Sequence, residues 1–168
     1  MLFSEQVVRE LPAARQGQMA RVCHVLEGHT PAGGTDPRKG LEHLNAPSVP
    51  KGLVVFISDF LAEPDAIARA VDRLAHRGHD VALVWVLDPD ETDLGVATVS
   101  RFDGLEGEGT VTVEPRALRQ AYAEQVAGHR LALQKLAHSR RLAFIECTTA
   151  DPLSIPLNRL LVELHRER

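Results

Sequence analysis

The chain has 168 residues, enough for one domain whose core needs neither a disulfide nor a metal. Its formal net charge of −4 and the lack of a basic stripe argue against nucleic-acid binding. No apolar run approaches the ~20 residues of a membrane span, and no signal peptide is visible. Cys23 and Cys147 lack metal-ligand spacing, so we expect a cytoplasmic protein with two buried thiols.

The first third of the chain predicts a hairpin followed by two helices. Segments 1–3 and 7–12 have strand-like composition on either side of a short polar turn. An apolar stripe at helical spacing predicts a helix over 18–26. After a loop rich in Gly and Pro, a capping residue before Pro37 predicts a second helix that ends before Pro47.

The middle of the chain predicts a strand–helix–strand unit. The run 53–59, Leu-Val-Val-Phe-Ile-Ser-Asp, is apolar on both faces, which is typical of a buried central strand in a parallel sheet. Pro64 begins a helix and Gly78 ends it. A second buried strand is predicted over 81–87. This order is that of a right-handed crossover between parallel strands.

The last part of the chain adds a hairpin, two helices and a third core strand. The hairpin is predicted over 98–102 and 110–113. A long helix over 115–139 is followed by a strand over 142–147 and by an amphipathic helix from Pro152 onwards. Alternating strands and helices put the chain in the α/β class.

Polar residues follow each of the three core strands. They are Asp59, Asp88 and the pair 148–149, and the carboxyl ends of parallel strands meet at one rim where ligands collect. The loop before Pro37 could add Thr35 and Asp36 to that rim. Hard oxygen ligands of this kind suit Mg²⁺, Mn²⁺ or Ca²⁺.

Each of these residues also has a structural interpretation. Asp88 precedes Pro89 and fits a turn or helix cap, as Thr35 and Asp36 fit the start of a helix. Asp59 fits a cap for the helix that begins near Pro64 as well as it fits a site. The chain contains no Gly-x-Ser-x-Gly elbow, Walker loop or Gly-x-Gly-x-x-Gly fingerprint, so these enzyme classes have no support.

Several segments together resemble one bacterial family of unknown function. They are 53–61, 78–81, 87–91, 121–122 and 149–153. Members of that family have a von Willebrand factor A-like domain and are often encoded beside MoxR-type AAA+ ATPases. The resemblance spans nearly the whole chain and implies a mainly parallel, doubly wound, Rossmann-like sheet with helices on both faces.

The resemblance also implies a divalent-cation site at the carboxyl edge of the sheet. Complete domains of this type use an Asp-x-Ser-x-Ser loop after the first strand, a Thr from a later loop and an Asp after the fourth strand. Thr35 matches that Thr and Asp59 matches that Asp, whereas no Asp-x-Ser-x-Ser string occurs. We therefore expect residues 1–168 to form a partial domain that lacks the first strand and binds Mg²⁺ weakly or not at all.

The resemblance implies that this protein is a non-enzymatic protein-interaction module. The expected partner is a protein, plausibly a MoxR-type ATPase, that docks on the rim. Two alternatives stay open. One is a Mg²⁺-dependent phosphoryl-transfer enzyme that uses Asp59 and Asp88. The other is a structural fragment that forms a homodimer through the strand edge exposed by the missing strand.

Overall fold

The computed structural model describes residues 1–4, 7–12, 16–30, 42–46, 49–61, 64–92, 100–103, 110–113 and 115–166. The first half contains β1 (Leu2–Phe3), β2 (Val7–Arg9), α1 (Gln18–Glu27), β3 (Leu53–Ser58), α2 (Pro64–His76) and β4 (Asp80–Leu87). The second half contains α3 (Pro89–Thr92), β5 (Ser100–Asp103), β6 (Thr110–Val113), α4 (Pro115–Arg140), β7 (Ala143–Thr148) and α5 (Ser154–Arg166). The short helix α3 lies where the sequence predicts a turn or cap.

The described part of the chain has a three-stranded parallel sheet in the order β3–β4–β7. β3 and β4 are joined through α2, which confirms the predicted strand–helix–strand unit. β1 pairs with β2, and β5 with β6, as antiparallel hairpins outside this sheet. The α/β class predicted from the sequence is therefore confirmed.

β4 lies at the centre of the sheet and is buried on both faces. On one face Val81, Leu83 and Trp85 pack in the main core with residues of α2 and α4. On the other face Val84 packs with residues of β7 under Leu160 of α5. Helices thus cover both faces, because β4 presents apolar side chains to both. The doubly wound arrangement is confirmed.

β3 departs from its predicted position in the interior. The register pairs β3 with β4 on one side, and within the described residues no strand lies on its other side. Phe56 is 4% exposed, whereas Leu53, Val55 and Ile57 are 48%, 37% and 63% exposed. The burial that composition predicts for this strand is therefore found at Phe56 but not at Leu53, Val55 and Ile57, whereas the exposed strand edge that the resemblance implies lies on this side of β3.

The prediction for the two thiols is confirmed for Cys147 and wrong for Cys23. Cys147 is buried in β7, and burial is the main reason that the pKa of its thiol is raised. Cys23 is exposed on α1, a helix with no buried residue, on which Met19 and Leu26 are also exposed. An apolar stripe at helical spacing therefore does not ensure that α1 is covered.

Two helices end in the same hydrogen-bond pattern with different residues. After α2, the His79 N–H donates to the Leu74 carbonyl, and Gly78 has a φ of 81°. After α4, the Leu142 N–H donates to the Ala137 carbonyl, and the residue in the left-handed position is Arg141, with a φ of 53°. Glycine takes this conformation without steric cost, whereas an L-residue with a Cβ does not.

We predict that Arg141→Gly raises the free energy of unfolding by about 0.5–1 kcal/mol, since it relieves the left-handed backbone at the end of α4. Gly78→Ala should lower that free energy by about 1 kcal/mol, because its Cβ would be forced into the same conformation. Urea denaturation of both variants beside the wild type measures the two changes. A lower free energy of unfolding in Arg141→Gly than in the wild type would contradict the left-handed conformation assigned to Arg141.

Candidate docking rim at the carboxyl edge of the sheet

The carboxyl ends of the three parallel strands meet at one edge of the sheet. The register pairs Ser58 with Trp85 and Leu87 with Thr148, so the residues that follow each strand lie along the same edge. Asp59 follows β3, Asp88 follows β4, and Thr149 follows β7. We call Asp59, Asp88 and Thr149 the rim. Its existence as a shared edge confirms the sequence prediction.

Asp88 caps the short helix α3. Its Oδ1 accepts the N–H of Asp90 at 3.0 Å, and the N–H of Asp88 donates to Oε2 of Glu91 at 2.7 Å. This reciprocal pair is a capping box, in which side chains from both ends of the first helical turn accept backbone N–H groups that lack a partner within the helix. The other carboxylate oxygen of Asp88 accepts the Thr149 hydroxyl at 2.9 Å. The helix-cap interpretation of Asp88 is confirmed.

The hydrogen bonds to Asp88 stabilise its ionised form. The Asp90 N–H, followed by the Thr149 hydroxyl, lowers the pKa of the Asp88 carboxyl, and a small desolvation effect opposes them. A lowered pKa in the folded state means that the ionised carboxylate favours folding above its unfolded pKa. That contribution is lost as the pH falls through the folded pKa.

Asp59 is exposed and lies in a hydrogen-bonded turn. Its Oδ1 accepts the Leu61 N–H and the Ser58 hydroxyl, both at 3.2 Å. The Ser58 oxygen in turn accepts the Phe60 N–H at 3.0 Å. These bonds hold the carboxylate to its own turn, so the described contacts of Asp59 do not include a capping bond to α2.

Phe60 keeps this turn in an uncommon backbone conformation. Its φ is 51°, which costs roughly 1–2 kcal/mol in a residue with a Cβ. The side chain is 2% exposed and meets Phe56 edge-on, with ring centroids 5.0 Å apart. Full burial of a Phe side chain contributes about 1.5–3 kcal/mol, which offsets the strain. The core therefore fixes the position of Asp59.

Trp85 ties the same turn to β4. Its indole N–H donates to the Asp59 carbonyl at 2.8 Å. The Arg130 guanidinium lies 5.6 Å from the Trp85 ring centroid and pairs with Glu146 at 2.7 Å. Sequence reasoning missed this cluster. Two signals were available: a buried indole needs an acceptor, and Glu146 interrupts an otherwise apolar strand.

Tyr122 of α4 fixes the neighbouring part of the rim. Its hydroxyl donates to the Glu91 carbonyl at 2.8 Å. Burial, and then the negative charge of Glu91, raise the pKa of Tyr122. The long helix is therefore attached to α3, and through α3 to the cap formed by Asp88.

The described residues include only one of the two predicted cation ligands, Asp59. Thr35 and Asp36 lie outside the described residues, so the predicted pair of Thr35 and Asp59 stays a prediction. Within the described ranges, no three or more His, Cys, Asp or Glu side chains form a group that could hold a metal ion. Asp59 and Asp88 are both exposed carboxylates of the described rim, and each oxygen of Asp88 accepts one hydrogen bond.

The comparison with family models decides where the chain belongs. The model described as a protein of unknown function, DUF58, matches residues 1–132. The chain belongs to the DUF58 family. No curated protein matches this DUF58 chain significantly.

A solved structure is similar to this DUF58 chain in fold. It is the conserved hypothetical protein BatB from Bacteroides thetaiotaomicron, with a TM-score of 0.50 and 13% sequence identity. The match covers 89% of this chain and 69% of that one. Such a likeness concerns the fold alone, and it supports the Rossmann-like, von Willebrand A-type fold predicted from the sequence. Among the described helices, none is both long and apolar enough to cross a membrane.

We predict that Thr149→Val raises the pKa of Asp88 part of the way to its ordinary value. The Asp90 N–H, the larger cause of the lowered pKa, stays in place, so the change should be partial. Carboxyl chemical shifts followed through an NMR pH titration measure it. Thr149→Ser is the matched control, because it keeps the hydroxyl and should leave the pKa low. An unchanged pKa in Thr149→Val would contradict the assigned bond.

Proposed function

We propose that this DUF58 chain is a non-enzymatic protein-interaction module that docks a partner protein on its rim. One observation carries the proposal: the exposed carboxylate of Asp59 stands on a rigid frame. The Trp85 indole holds its backbone, and the buried Phe60 fixes the turn. A fixed exposed charge provides a specific contact for a partner, since preorganisation lowers the entropy cost of ordering that side chain on binding.

The proposed cation contribution at the rim is small. Asp59 and Thr35 are the proposed Mg²⁺ ligands, and an acidic side chain of the partner would complete the coordination. Two protein ligands give weak binding, because Mg²⁺ gives up its water shell reluctantly. Docking through the Asp59 charge itself is therefore the main part of the proposal.

The proposed partner is a MoxR-type AAA+ ATPase, and such a partner implies a cytoplasmic location. The support for both is the resemblance to a family whose members are often encoded beside such ATPases. The alternative of Mg²⁺-dependent phosphoryl transfer needs Asp59 and Asp88 as joint metal ligands. It is less well supported, since the Asp88 carboxylate has a structural role as the cap of α3 and the described residues contain no group of three or more His, Cys, Asp or Glu side chains that could hold a metal ion.

We predict that Asp59→Asn weakens capture of the neighbouring MoxR-type ATPase about tenfold, the loss expected for one charged contact. The amide oxygen of Asn still accepts the Leu61 N–H, so the turn should stay folded. Titration of the ATPase with immobilised wild-type and variant chains measures the change. Asp80→Asn removes an exposed charge at the opposite edge of the sheet and is the matched control.

A chelator distinguishes the two parts of this proposal. If EDTA reduces capture of the wild type but not of Asp59→Asn, the cation acts through Asp59. If EDTA has no effect while Asp59→Asn binds weakly, the rim docks without a cation. Equal capture by wild type and Asp59→Asn would show that Asp59 is a turn residue, and the proposed docking rim would be wrong.

A further inference from the structure

A cavity of about 260 Å³ lies at the edge of the sheet opposite the rim, where the parallel strands begin. We call it the amino-edge cavity. The charged and polar residues that line it are His79, Asp80, Arg140 and Arg141. All of them lie at the ends of α2 and α4 or at the start of β4. The apolar part of the lining includes Leu53, Val81, Leu142 and Leu164.

His79 supplies this cavity with a buried hydrogen-bond donor. The residue is 5% exposed, and its Nδ1 accepts the Gly52 N–H at 3.3 Å. An imidazole that accepts a hydrogen bond at one ring nitrogen carries its proton on the other, which here is Nε2. The Nε2 atom is buried and has no hydrogen-bond partner among the described residues. Because an unpaired buried donor is unfavourable, an acceptor that enters the cavity would stabilise this imidazole.

Arg141 keeps a strained backbone in the lining of the same cavity. Its φ of 53° is one that glycine adopts without strain, as Gly78 does at the end of α2. The neighbouring Arg140 is neutralised by Asp72 through hydrogen bonds of 2.6 and 2.8 Å. Arg141 is exposed and forms no ion pair with a described residue. A charged side chain kept on a strained backbone at a cavity indicates a binding role.

The other charges around the cavity favour an anion with a single charge. Asp80 contributes a carboxylate to the lining, and the C-terminal ends of α2 and α4 carry partial negative charge. The Lys51 side chain crosses Gly78, with its Nζ 3.2 Å from the position that a Cβ on Gly78 would take. Lys51 and Arg141 together exceed the charge of Asp80 by one. A carboxylate therefore suits this site better than a doubly charged phosphate.

We propose that the amino-edge cavity binds a small apolar carboxylic acid. The carboxylate accepts the Nε2–H of His79 and pairs with the Arg141 guanidinium, whose planar fork matches its two oxygens. The hydrocarbon part of the ligand packs against Leu142 and Leu164. Pockets for drug-sized ligands have volumes of about 300–1,000 Å³, so this cavity suits a smaller molecule, of the size of benzoate. The site lies at the opposite edge from the rim and is independent of docking there.

Binding of benzoate to the whole chain tests the proposal, with two related compounds for comparison. Benzyl alcohol keeps the ring without the carboxylate, and inorganic phosphate is an anion without an apolar part. Isothermal titration calorimetry should give saturable binding of benzoate, at least about tenfold tighter than that of either compound. The ¹H–¹⁵N spectrum of the histidine side chains should show a shift of the His79 Nε2 resonance on addition of benzoate. Binding of benzyl alcohol as tight as that of benzoate would overturn the carboxylate assignment.

Two variants test the assigned contacts. Arg141→Gly removes the guanidinium and relieves the backbone, so it should weaken benzoate binding about tenfold while the free energy of unfolding rises. A loss of binding in a more stable protein cannot come from misfolding. His79→Asn keeps an acceptor for the Gly52 N–H but lacks the Nε2 donor, and it should weaken binding as well. Lys135→Gln removes another exposed positive charge of α4 and is the matched control, with unchanged affinity expected.

Two results would overturn the proposal. One is the absence of saturable benzoate binding to the wild type. The other is equal affinity for benzoate in the wild type and in Arg141→Gly, since the guanidinium would then make no contact with the carboxylate.

Discussion

Burial of β4 on both faces is the constraint on which the rest of the structure depends. Leu83 is completely buried on one face and Val84 is 9% exposed on the other, and each such side chain contributes about 1.5–3 kcal/mol. β3 and β7 run parallel to β4 on its two sides, the arrangement that is typical of a sheet covered by helices on both faces. Their carboxyl ends therefore lie along one edge, where Asp59, Asp88 and Thr149 follow the strands and Thr149 contacts Asp88.

The same strand links the core to the rim. Trp85 packs in the main core, and its indole N–H holds the Asp59 carbonyl. The Glu91 carbonyl accepts a hydrogen bond from the Tyr122 hydroxyl of α4. The Glu91 carboxylate accepts the Asp88 N–H and so completes the cap of α3. The rim is therefore held by the core and not by loop contacts alone. This arrangement fits a surface that binds a partner without rearranging.

Much of the fold followed from local patterns in the sequence. Pro64, Gly78 and the apolar runs of β4 and β7 specify their elements, because helix starts, helix ends and buried strands have strong local signals. The exposure of Leu53, Val55 and Ile57 did not follow from the composition of β3, since burial depends on what lies beside the strand; the resemblance, not the local pattern, implied an exposed strand edge. For the rim, the sequence indicated that Asp88 is a helix cap, because Pro89 follows it. The hydrogen bond from Trp85 to Asp59 could not be predicted, because it joins residues distant in sequence. Thr35 lies outside the described residues.

Amide hydrogen exchange along β3 tests most directly how the parallel ladder with β4 orients this strand. The amides of Val54, Phe56 and Ser58 face β4 and should be protected. Those of Leu53, Val55 and Ile57 point away from β4 and should exchange faster. Stronger protection of Leu53, Val55 and Ile57 than of Val54, Phe56 and Ser58 would contradict this register of β3 against β4.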